Sequence, residues 1–114
     1  MTQESNTPNN SSLTAILQKQ VMEIANALQA EIKRLCAQPN ESSGNVALYR
    51  SLADQALKIK AEAFNLDMIS ALDIVVQELE QALGHAKDRC QNRDLLPHLE
   101  LANSELSKAT NIKG

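Results

Sequence analysis

Four stretches of this chain place apolar residues at steps of three and four, and that spacing commits each stretch to one buried helical face. The first runs through Leu13, Leu17, Val21, Ile24, Leu28, Ile32 and Leu35, and the second through Tyr49, Leu52, Ala56, Ile59 and Ala63, with Val46 and Ala53 beside it. The third, Leu72, Val76, Leu79, Leu83, Ala86 and Cys90, alternates steps of four and three in a heptad-like run. Leu95, Leu99, Ala102, Leu106 and Ala109 make the fourth. A half-buried strand would alternate with a period of two, and none of these stretches does. The kind of hydrophobe agrees with the spacing. The chain has one Tyr, one Phe and no Trp, and its apolar residues are mostly Leu and Ala, which suit helices better than strands. Three Gly and three Pro leave little turn chemistry, so the helices are few and long.

The boundaries follow from local signals. Ser12 is a candidate N-cap for the first helix, Lys33 and Arg34 fall in its last turn, and Pro39 stops it. Residues 39 to 45 form a loop, and Asn45 can cap the second helix. At Asn65-Leu66-Asp67 the spacing predicts a break, with Asn65 in a left-handed turn and Asp67 capping the third helix; a continuous helix is the alternative. Asp94 is placed as the N-cap of the fourth helix, with Pro97 in its first turn. Residues 1 to 11 are polar and read as a disordered tail, which leaves 12 to 114 as one helical domain. Short loops between four such segments predict an all-α, up-down-up-down antiparallel four-helix bundle. The first helix is the longest, roughly 40 Å for about 26 residues, so it overhangs the others. Covering its apolar end calls for a homodimer or another helical partner.

Charge and composition exclude several classes of function. A formal charge of −3 and a pI near 5.3 argue against a general nucleic-acid binder, and the scarcity of aromatics removes stacking platforms. No apolar run approaches the ~20 residues of a membrane span. The N-terminus lacks the basic start and apolar stretch of a secretory signal, so the expected location is the cytoplasm; its Ser/Thr/Asn-rich composition also fits some proteins exported without such a signal. No serine elbow or glycine-rich phosphate loop is present. Glu78 and Glu80 are two apart and point to different helix faces. No catalytic, cofactor or metal residues are therefore assigned, and the expected protein is a non-enzymatic, regulatory or adaptor module that binds protein partners. Leu48, Leu57, Ile74, Val75 and Leu101 lie off the main seams and supply apolar surface both for closing the bundle and for a partner. Met22 and Met68 are expected to pack.

The predicted topology gathers one set of residues at a single pole, where the first and third helices end and the second and fourth begin. Its cations are Lys33, Arg34, Arg50, Lys87, Arg89 and Arg93. They complement helix dipoles, or alternatively form a site for an anion or an acidic partner. Cys36 and Cys90 share that pole and are expected as buried thiols, with a disulfide or thiol-sensing pair as the alternative. With His85 and His98 they make a nominal zinc set, but without the paired spacing that zinc motifs show. His85 is the candidate for another role. In size and fold class the chain resembles the histidine phosphotransfer modules of bacterial phosphorelays, whose usual pattern is histidine, lysine three residues later, then glycine. The run Gly84-His85-Ala86-Lys87-Asp88-Arg89 departs from it, with lysine two residues on and no glycine after it. The resemblance implies a signalling bundle with His85 as phosphoacceptor.

Overall fold

The computed structural model describes residues 10–112. It is all-α: α1 (Asn10–Cys36), α2 (Val46–Glu62), α3 (Leu66–Lys87) and α4 (Asn92–Thr110) pack antiparallel as a four-helix bundle. Helix α1 lies along α4, α4 along α3, and α3 along α2, while the α1–α2 seam is much thinner. The core runs down the bundle axis and is built from the expected stripes. Leu17, Val21, Ile24, Leu28 and Leu35 of α1 are buried, as are Tyr49, Leu52, Ala56 and Ile59 of α2. They meet Leu72, Val76 and Leu79 of α3 and all five stripe residues of α4. Leu13, Ile32, Ala63, Leu83, Ala86 and Cys90 pack at its margins.

Several local expectations change. Of the expected tail, residues 1–9 lie outside the described residues, and α1 already includes residues 10–12, so Ser12 is inside the helix and does not cap it. The break after α2 is present, but Asn65 is extended (φ −76°) and is itself the cap: its side-chain oxygen accepts from the Asp67 and Met68 amides. Asp67 therefore lies in the first turn, where its charge favours the positive end of the helix. Helix α4 starts two residues before Asp94, with Gln91 at the N-cap and no side-chain capping bond. The reason is tertiary. The amides of Asn92 and Arg93 donate to the carbonyls of Glu41 (2.6 Å) and Pro39 (3.0 Å) in the α1–α2 loop, so that loop does the work of a cap. Pro97 then falls in the second turn and leaves the Arg93 carbonyl without its intrahelical donor. Both residues are exposed, so water can satisfy that carbonyl.

Val75 is fully buried and belongs to the core, because α3 faces both α2 and α4 and needs a wider apolar face than one seam. Leu48 also packs against the core, whereas Leu57, Ile74 and Leu101 remain exposed. Met68 is buried, but Met22 is on the outer surface, since it lies away from the α1 stripe. Among the described residues no helix is long and apolar enough to cross a membrane.

Candidate functional site

The pole where α1 and α3 end holds a buried polar network. Glu31 is only 5% exposed although it sits beside the apolar stripe. Its Oε2 accepts from the Tyr49 hydroxyl at 2.6 Å, and the Arg34 guanidinium grips both carboxylate oxygens at 2.7 and 2.8 Å. Arg34 also donates to the Ser43 carbonyl at 2.8 Å and to its hydroxyl. Ser43 passes the network on to Asn92. The Ser43 amide donates to Asn92 Oδ1 at 2.9 Å, and Asn92 Nδ2 donates to the Ser43 hydroxyl and to the Gln38 carbonyl. Three elements and the loop are thus joined through one buried carboxylate. Gly44 completes the seal: a Cβ there would lie 2.6 Å from a Leu95 methyl and 2.9 Å from the Ala86 Cβ, so only glycine lets the loop lie this low.

The electrostatics follow from that wiring. Burial pushes the Glu31 carboxyl up, but hydrogen bonds from Arg34 and Tyr49, the Arg34 charge and the Asn45 backbone together hold it below its ordinary value. The Tyr49 hydroxyl is pushed well up, first by burial and then by its bond to Glu31. The bond to Glu31 likewise raises Arg34. A phenol held protonated and a carboxylate held charged are stable partners. The network fastens the loop to the helices rather than offering a group for proton transfer.

The six pole cations differ in how they are engaged. Arg34 is the only one of the six that is ion-paired among the described residues, and its partner is internal. Lys33, Arg50, Lys87, Arg89 and Arg93 are exposed. Arg89 takes a left-handed conformation (φ 59°) as the chain leaves α3, and the Arg93 backbone is engaged with the loop. Cys36 is exposed and Cys90 half-buried, and both thiols are free.

His85 lies on the α3 flank that faces α4. Its ring stands 4.9 Å from that of His98, tilted by 50°. His98 in turn places Nδ1 2.7 Å from Glu78 Oε1, with both side chains largely buried. The sequence grouped His98 with His85 and the cysteines and weighed Glu78 only against Glu80; it did not pair His98 with Glu78, which lie 20 positions apart on different helices. Glu78 and His85 are two turns apart on one flank of α3, and that spacing is the only sequence signal for the grouping. Among the described residues no group of three or more His, Cys, Asp or Glu side chains is arranged to hold a metal ion.

Two surface features lie away from the polar pole. A depression of about 360 Å³ between α1 and α2, lined by Gln20, Glu23, Gln55, Lys58, Ile59 and Glu62, marks the thin seam. At the opposite pole, where α2 turns into α3, Phe64 is 64% exposed and Leu66 77% exposed. The start of α1 lies at the same end of the bundle. Gln18 reaches the Ala109 and Ile112 carbonyls, Leu13 packs against the core and Thr14 is buried, while Ile16, on the outer side of the same turns, is 56% exposed. No known protein family, curated protein or solved structure matches the chain.

Proposed function

We propose that the protein is a non-enzymatic interaction module that acts by self-association, joining two copies through the apolar pole. The observation that carries this reading is the exposure of Phe64 and Leu66 at the end of the bundle where α1 begins. An exposed Leu alone is ordinary, but the chain's single Phe, a Leu two residues on and Ile16 all stand exposed at that one end. A second copy covers them with like chemistry, because the first turns of α1 in each chain offer Ile16 to the α2–α3 corner of the other. Helical presentation of apolar residues spaced along one or two turns is a common means of recognition between bundles. The polar pole contributes rigidity, since the Glu31 network ties α1, α2 and, through Ser43, α4 together.

Light scattering of the full-length chain over a wide dilution series tests the proposal. The expected result is a dimer that dissociates on dilution, and a Phe64→Ser/Leu66→Ser variant that stays monomeric with unchanged helical circular dichroism. A wild-type chain that is monomeric throughout the series would overturn the reading.

A further inference from the structure

We propose that His85 and His98 form a two-imidazole site for a single borderline transition-metal cation of the Ni²⁺, Cu²⁺ or Zn²⁺ class, with Glu78 orienting His98 from behind. Imidazole nitrogens suit these cations, and a histidine that binds one usually donates its other ring N–H to a carboxylate. His98 already has that arrangement. Its Nδ1 lies 2.7 Å from Glu78 Oε1; in the neutral ring with its proton on Nδ1, toward that carboxylate, Nε2 offers a lone pair to a cation. The ring separation fits a shared cation. With a metal–nitrogen bond of ~2.1 Å and the ring centre about 1.1 Å behind the nitrogen, the cation lies ~3.2 Å from each ring centre. Ring centres 4.9 Å apart then subtend about 100° at the cation. That value falls between the right angle of adjacent octahedral positions and the wider tetrahedral angle, so the ring separation fits a shared cation once each ring turns a nitrogen toward it.

The surroundings support a cation. Glu78 supplies negative charge behind His98, and Asp94 stands one turn from His98 on α4. The His98 side chain is about a quarter exposed and His85 is half-buried, so the site is partly dehydrated yet open to entry from the α3–α4 surface. Two protein ligands make an open site, and water completes the coordination. The site lies on the α3–α4 flank, away from the apolar pole, and it does not depend on self-association.

Calorimetric titration of the untagged full chain with nickel chloride tests the site, together with nuclear magnetic resonance of the histidine rings. The expected result is one equivalent of Ni²⁺ per chain, with paramagnetic broadening confined to the His85 and His98 neighbourhood. His85→Gln and His98→Gln should each abolish that binding while keeping the wild-type circular dichroism. Glu78→Gln should weaken it roughly 10- to 100-fold, as loss of a supporting carboxylate does elsewhere, and a Cys36→Ser/Cys90→Ser variant should bind unchanged. Binding that survives His98→Gln or disappears with the cysteines would overturn the proposal. So would half an equivalent per chain accompanied by dimer formation, which would place the cation between copies, and unchanged affinity in Glu78→Gln would remove the orienting role.

Discussion

Tyr49 is the one tyrosine of the chain, and it lies on a stripe that must be buried, so its hydroxyl has to find a partner inside the bundle. Glu31 is that partner, and Arg34 keeps the carboxylate charged there. Removing the hydroxyl in Tyr49→Phe deletes a hydrogen bond to a charged acceptor and leaves Glu31 Oε2 to Arg34 alone. Urea denaturation should show a loss of about 1.5–3 kcal/mol. The pH dependence has a definite sign. The folded state holds Glu31 below its ordinary value near 4.5, so its ionisation adds stability that is fully present above that value and fades as pH falls through the lower, folded value. In denaturation series from neutral to acid pH, the stability gap between the wild type and Glu31→Gln should therefore narrow below about pH 4.5. A gap that stays constant down to pH 3 would contradict the wiring described for Glu31. The pairing was legible only in outline: Glu31 and Arg34 are one turn apart, but nothing local shows that Tyr49, 18 residues on, reaches the same carboxylate.

At the scale of elements, the two described glycines behave oppositely. Gly44 lies where the α1–α2 loop presses on Leu95 and Ala86, and a methyl group there meets both. Gly44→Ala should destabilise the fold by about 1–3 kcal/mol, as overpacking does, and should loosen the loop that serves as the cap of α4. Gly84 lies within α3 with nothing near its missing Cβ. Gly84→Ala should instead stabilise by about 0.5–1 kcal/mol, the helix-propensity difference. Thermal melts of the two variants check both signs together. The same contrast explains which boundaries were readable. Asn45 caps α2 through its own side chain, accepting from the Leu48 amide, and its role was visible in sequence. The start of α4 is held by carbonyls from a loop some 50 residues earlier, which accept from the Asn92 and Arg93 amides, so Asp94 misled: the helix begins two residues before it, and Leu96, whose amide Asp94 would have served, already lies inside the helix.

The molecule as a whole is tightly closed along α2–α3–α4–α1 and thin between α1 and α2. Its α1 helix has 27 residues, and its first turns lie at the apolar pole, where a helix end frays most easily, whereas the stretch from Val21 to Leu35 lines the core. Hydrogen-exchange mass spectrometry on dilute protein should find the segment 13–17 exchanging at least ~100-fold faster than 21–35. Raising the concentration should slow that segment selectively if the second copy covers it. Equal protection along the whole of α1 in dilute protein would contradict fraying of its first turns.

The periodicity of Leu and Ala decided that the segments are helical and which stripe each buries, because side-chain spacing on a helix is a local property; the break at Asn65, left open against a continuous helix, came from the structure, where its side chain caps α3. Tertiary structure decided which polar groups enter the core and which apolar ones stay out. Glu31 is buried because Arg34 and Tyr49 meet it there, Val75 because α3 has neighbours on two sides, and Phe64 is exposed because it falls at a corner. The meeting of His85, His98 and Glu78 belongs to the same class. It depends on the register between α3 and α4, which is set by how whole helices pack and by no residue within either one.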